Sequence, residues 1–281
     1  MNSGIGRRAR GLVAVVALLA LAGCAQGPEE ADPVASLPPE QIFALAEAEL
    51  ASNPRGTEAA RLFGEVERLY PYSDWAKRAL IMQAFAEHKR RDYEAARATA
   101  QRYLDIFPGE TDAAYAQYLV ALSYYDQIDA IGRDQALTFE ALQALRNVIE
   151  LYPGTEYARS AALKFDLAFD HLAAKEMEIG RYYLRDGHYM AAINRFRVVV
   201  EQFQTTTHTA EALHRLVECY LALGLTSEAQ TAGAILGYNY AASPFYDDSY
   251  RLLTNAGLNP EAQGEGWLRD LYRQMIQGEW L

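Results

Sequence analysis

Cysteine is nearly absent from this chain: Cys24 and Cys219 are the only two in 281 residues. So few cannot build a disulfide scaffold or a cysteine-rich zinc cluster. The five histidines, at 88, 171, 188, 208 and 214, include no pair at the i, i+4 spacing that lets a helix offer two ligands to zinc. A G-x-S-x-G elbow and a Walker loop are missing too. Gly264-Glu265-Gly266 lacks the third glycine and the preceding strand of a dinucleotide loop. Basic residues are outnumbered 26 to 37, and a net charge of −11 opposes a nucleic-acid partner, which needs a basic face. The acidic residues are scattered in the pattern of solvated helix faces. Neither an enzyme nor a metal or soluble cofactor is expected.

What is present is helical and repetitive. The stretch Gly180 to Gln204 reads as the end of one helix, a turn at Arg185-Asp186-Gly187 and a second helix from about Tyr189. In the second helix Ala192, Phe196 and Val199 share one face, and Gly180 and Tyr183 of the first helix face that seam. A spacing of Ala, +4, +7 and +12 recurs along the chain. It runs Ala59, Phe63, Val66, Pro71; Ala96, Ala100, Tyr103, Pro108; Ala141, Leu145, Val148, Pro153; Ala192, Phe196, Val199, Gln204; and Ala229, Gly233, Leu236, Ala241. The leading alanines are 37, 45, 51 and 37 residues apart. Alanine lets two helices cross closely, and proline ends a helical unit.

This pattern resembles the tetratricopeptide repeat, whose period is about 34 residues, with insertions. The expected fold is all-α, a solenoid of about five helix pairs in a right-handed superhelical stack. The repeats fall at about 40–71, 74–108, 111–153, 155–204 and 207–241. The insertion 126–135, DQIDAIGRDQ, exceeds what a turn between repeat helices needs and is expected to protrude. Residues 257–281 leave the repeat. In them Trp267, Leu268, Leu271, Tyr272 and Met275 share one face of a short helix, either a solenoid cap or a mobile partner-binding tail.

At the other end, Arg7, Arg8 and Arg10 precede an apolar run from Gly11 to Ala22. Its 12 residues fall short of the roughly 20 that span a bilayer, so residues 1–23 read as a signal peptide. The run ends in Leu21-Ala22-Gly23-Cys24, which resembles a bacterial lipobox. That resemblance implies a diacylglyceryl group on the Cys24 sulfur, cleavage before it, and a third acyl chain on the new amine. The bland alternative is an ordinary signal peptide beside a chance cysteine. Ala25, rather than aspartate, favours the outer membrane by similarity to enterobacterial sorting signals. Processing would change the charge from −11 to −14 and leave Cys219 as the only thiol, expected to be a buried structural one. Residues 24–39, acidic and proline-rich, read as a flexible tether.

Several segments together are similar to the BamD (ComL-like) family, the tetratricopeptide lipoproteins of the machinery that assembles outer-membrane β-barrels. They are the lipobox, Leu69-Tyr70-Pro71-Tyr72, Arg133-Asp134-Gln135, Glu150-Leu151-Tyr152-Pro153 and Glu176 with Gly180-Arg181-Tyr182-Tyr183. Tyr189-Met190-Ala191-Ala192-Ile193-Asn194-Arg195 and Leu223-Gly224-Leu225 complete the set. The resemblance covers about residues 38 to 250. It implies a lipid-anchored scaffold on the periplasmic face of the outer membrane. Its partners would be the central barrel subunit with its periplasmic domains, other assembly lipoproteins and the C-termini of unfolded β-barrel precursors. Arg195 matches the family's Asn-Arg segment and would contact the barrel subunit; a pair with Glu176 or Glu201 on this chain is the other reading. The first helices of repeats two and three would line a precursor groove with Arg78, Phe85, Lys89, Tyr115, Tyr118 and Tyr125, rings and cations suited to an aromatic segment ending in a carboxylate; packing between helices is the other reading of each ring, so the groove rests on the cluster. Replacing Tyr118 and Phe85 by alanine is expected to weaken precursor binding and leave the fold intact. The alternative function is another envelope repeat adaptor, coordinating cell-wall synthesis or division.

Overall fold

The computed structural model describes residues 33–262 and 266–277. Among them are twelve α-helices and no strands. They are α1 Pro39–Ser52, α2 Glu58–Leu69, α3 Asp74–Lys89, α4 Tyr93–Ile106, α5 Ala113–Tyr125 and α6 Ala136–Leu151. The series continues with α7 Glu156–Arg185, α8 Tyr189–Gln202, α9 Thr209–Ala222, α10 Thr226–Asn239, α11 Pro244–Asn255 and α12 Trp267–Tyr272. The chain forms two compact units, dividing between Ala79 and Leu80. The signal peptide, Cys24 and most of the tether lie outside the described residues.

In the first unit α1 packs on α2. Ile42, Phe43 and Ala46 are buried, as are Ala59, Phe63 and Val66. The Phe43 ring meets Phe63 at 5.2 Å and Trp75 at 5.1 Å. Of the expected tether over 24–39, residues 33–39 are among those described. Pro33–Ser36 forms a 3₁₀ turn, Val34 is buried, and the Leu37 carbonyl accepts the Tyr70 hydroxyl at 2.7 Å. The turn also packs on α2, which holds this stretch against the body.

In the second unit consecutive helices from α4 to α10 pack pairwise, in the manner of tetratricopeptide pairs. Two buried clusters form its core. The first contains Leu80, Ala84, Tyr103, Leu119, Leu145 and Ala161. The second contains Leu172, Met177, Phe196, Leu213, Leu216, Ile235, Leu236 and Leu253. Helix α7, 30 residues long, contributes to both, Ala161 to one and Ala168 onward to the other.

The recurring alanine spacing is a burial code. The Ala, +4 and +7 positions are buried in all five copies. Two further positions in the same frame complete each turn. The residue at +11 is always aromatic: Tyr70, Phe107, Tyr152, Phe203 and Tyr240. Each ends its helix at φ near −130° and donates its N–H to the +7 carbonyl. The residue at +14 then donates its N–H to the aromatic residue's carbonyl. At Ser73, Thr155 and Ser243 the hydroxyl also caps the next helix by accepting an N–H, at 3.1, 3.1 and 3.4 Å. Inside the pairs, α3, α7, α9 and α11 end in one six-residue wrap, with paired bonds such as His188 N–H to Tyr183 O at 2.9 Å and Gly187 N–H to Leu184 O at 3.1 Å. Gly187 takes φ 75° there, and in the α3 wrap Arg91 must take φ 67°.

The insertion does not stand free. Ile128 packs on the second cluster, and Lys175 of α7 donates to the Arg133 carbonyl at 3.4 Å. Arg133 pairs with Asp129 at 2.8 Å and Gln135 donates to Ile131 O, so the loop folds back along α7. At the C-terminal end Leu268 and Leu271 are buried in the second cluster, α12 packs on α10, and the chain continues as a π turn over Arg273–Gln277.

Candidate functional site

Among the groove residues, Arg78 belongs to the first unit, where its guanidinium lies over Phe43 at 5.0 Å and Trp75 at 4.8 Å. The other five lie in the second unit. Phe85 and Lys89 are one turn apart on α3, and the ammonium sits 5.2 Å from the ring centroid. Tyr125 ends α5 under the Lys164 ammonium at 4.9 Å. Phe85, Tyr115 and Tyr125 are half-buried on the first cluster, and Lys89 is exposed.

Tyr115 and Tyr118 meet a third ring that the sequence pattern did not single out. Tyr157, in the first turn of α7, lies 5.2 Å from Tyr115 and 5.6 Å from Tyr118. A tyrosine two places into a helix carries no periodic signal of its own, so only packing identifies it. Burial, and then the neighbouring Tyr157 and Tyr118, push the Tyr115 hydroxyl to about 12. Tyr118 is 9% exposed and its hydroxyl shares a 2.6 Å hydrogen bond with Ser160. That corrects one expectation: truncating Tyr118 would open the core and leave Ser160 short of a partner, so the fold would not be untouched. Among the described residues the Phe85 ring contact is to Lys89, not to the tyrosines.

Arg195, on α8, pairs with Glu176 of α7 at 3.1 Å while its side chain stays 42% exposed. Glu201 is taken by Arg197 at 2.8 Å. Gly180 makes the close approach expected of it: a Cβ there would lie 2.4 Å from the Phe196 ring. Next to it a network missed in the sequence joins α7 to α9. Arg181 grips Glu211 with two bonds of 2.8 and 2.5 Å. Arg215 bridges Glu211 at 3.3 Å and Glu218 at 2.8 Å. His214 Nε2 is 3.5 Å from Glu218, and its Nδ1 is 2.8 Å from the Ser249 hydroxyl of α11. The bond from Arg181 holds the Glu211 carboxyl below the ordinary 4.5. At Glu218 burial opposes the charge, but bonds from His214 and Arg215 outweigh it and lower that carboxyl as well. Burial pushes the Cys219 thiol to about 12, which keeps it protonated and unreactive.

Among the described residues no group of three or more His, Cys, Asp or Glu is placed to hold a metal. No described helix is long and apolar enough to cross a membrane. The arrangement offers paired helices, half-buried rings and exposed cations, a surface for binding polypeptide. Comparison with known proteins gives it a family. The description "YfiO: Outer membrane lipoprotein" matches residues 35–235. The chain belongs to the YfiO family. A relative in Caulobacter vibrioides is 44% identical over 92% of this chain and 85% of its own length, and is named "Outer membrane protein assembly factor BamD". Proteins of the same name in Rickettsia prowazekii and Neisseria meningitidis are 41% and 28% identical, over 84% and 75% of this chain and 93% and 83% of theirs. The YfiO match takes in every groove residue and Arg195; α11 and α12 follow it.

Proposed function

We propose that this chain is a scaffold subunit of the outer-membrane protein assembly machinery, held by lipid on Cys24 at the periplasmic face. It binds unfolded β-barrel precursors and the central barrel subunit and promotes insertion. The observation that carries this reading is 44% identity, over nearly the whole chain, to a protein named as an outer-membrane assembly factor. Three acyl chains at Cys24 suit the role, since one such chain gives only reversible membrane binding and two or more give a stable anchor. The chain acts by holding polypeptides rather than by chemistry; its described thiol is buried and protonated.

Within this reading the precursor groove of the second unit is carried by Phe85, Lys89 and Tyr115, with Tyr118 and Tyr157 as the packed wall behind Tyr115 and Tyr125 as a flanking contact. Arg195 serves the barrel subunit by exchanging Glu176 for a partner carboxylate, which a planar, already exposed guanidinium can do. Depletion and complementation in the native cell test the function. Loss of the chain should deplete heat-modifiable outer-membrane barrels, and re-expression should restore them, but not as Cys24→Ala. Normal barrel levels with defective division or cell-wall synthesis would contradict it and favour an envelope adaptor of another kind.

A further inference from the structure

Leu163 and Leu167 stand one turn apart on α7 and are 68% and 62% exposed. A lone exposed leucine is ordinary; two on one helical face, bordered by hollows, form a patch. Leu163, Leu167 and Phe169 border, with the 205–207 turn, a hollow of about 560 Å³. On its other flank Leu167 borders a second hollow of about 240 Å³, with Tyr125, Ile128 and His171. Leu167 is therefore a ridge between two recesses.

The walls are fixed in advance. Phe169 stacks on Phe165 at 5.9 Å and meets Phe203 at 4.8 Å. Thr207 donates both its N–H and its hydroxyl to Asp170 at 2.9 Å. Among the described residues here, one buried polar atom remains to be satisfied, and one solvent-exposed carboxylate remains unpaired. His171 Nε2, in the wall of the second hollow, is shielded from water without a hydrogen-bond partner. Asp166 lines the first hollow beside the leucines, and no hydrogen bond or ion pair engages it among the described residues. The other two carboxylates at the rim are occupied, Asp129 by Arg133 and Asp170 by Thr207 and His208.

We propose that this face of α7 docks an amphipathic segment of a partner polypeptide, with one apolar side chain entering each hollow and a lysine or arginine reaching Asp166. The acidic rim chooses this occupant. Carboxylates beside the leucines repel an anionic lipid surface, and a chain of net charge −11 repels its own copy. Tyr125 borders both the second hollow and the proposed precursor groove, whereas Leu163, Leu167 and Asp166 belong to this face alone, and the test is read at those positions.

The test places photoreactive benzoylphenylalanine at position 167 of the full chain in cells, and at Leu151, exposed at the end of α6, as control; crosslinked peptides are mapped by mass spectrometry. Position 167 should capture a segment carrying two apolar residues and at least one lysine or arginine within a helical turn or two, and position 151 should not. Asp166→Lys should cut the yield by about tenfold, because like charges then face each other. Asp166→Asn, which cannot repel, should cut it by less. Adducts with lipid alone, with a second copy of this chain or with acidic segments would overturn the proposal. So would no adduct at 167, or a yield indifferent to Asp166→Lys in a protein of unchanged circular dichroism.

Discussion

At Gly180 the absence of a side chain sets the distance between α7 and α8. Its missing Cβ leaves 2.4 Å to a Phe196 ring that is itself fully buried. Gly180→Ala gains about 1 kcal/mol of helix propensity and loses about 1–3 kcal/mol to overpacking. The net expectation is a destabilisation of about 1 kcal/mol, read in urea unfolding, and Gly180→Leu should cost several times that. Arg91 poses the opposite problem. It holds a left-handed φ of 67° in a wrap whose counterparts are Gly187, Gly224 and Gly257. An L-residue pays about 1–2 kcal/mol for that conformation, so Arg91→Gly should raise the unfolding midpoint. At Cys219, burial keeps the thiol near pKa 12, and labelling by a maleimide at neutral pH should occur only as fast as the protein opens. Labelling in seconds without denaturant would contradict that burial.

Elements differ in how far their residues announce them. The alanine spacing located the core of every second helix because it samples a face that must be buried. The aromatic at +11 and the N–H donor at +14 escaped because they serve backbone bonds at helix ends, which have no hydrophobic period. The Arg181–Glu211–Arg215–Glu218 network escaped for a different reason: its members lie on two helices 30 residues apart and meet only when α7 packs near α9. The candidate site was legible as residue types, not as contacts. Arg195 and Glu176 could be paired on paper, but nothing in the chain marked Tyr118 as wall rather than surface, or Tyr157 as its neighbour. The α7–α9 network also predicts a pH dependence. Glu211 and Glu218 are held below their ordinary 4.5, so the folded state binds fewer protons than the unfolded chain just below that value. Their contribution is complete above about pH 4.5 and is lost as pH falls through the lowered values. Glu211→Gln should cost about 1–3 kcal/mol at neutral pH and flatten the acid limb of the stability curve.

For the whole molecule, an all-helical chain of repeated pairs is a device for presenting side chains to other polypeptides. Within the second unit two buried clusters, to both of which α7 contributes, back the helix faces, and the half-buried rings and paired cations on those faces are what a partner would meet. In the proposed groove, Phe85→Ala with Tyr115→Ala removes ring surface without entering the tight Tyr118–Ser160 contact. It should weaken binding of a precursor's C-terminal peptide by about tenfold, measured by fluorescence anisotropy. The account as a whole turns on what the protein holds in its own membrane. Affinity purification of the tagged full chain from detergent-solubilised outer membranes, with the companions identified by mass spectrometry, measures that directly. A large heat-modifiable β-barrel protein with periplasmic domains as the main companion is the result the account predicts; cell-wall enzymes in its place, with no barrel, would contradict it.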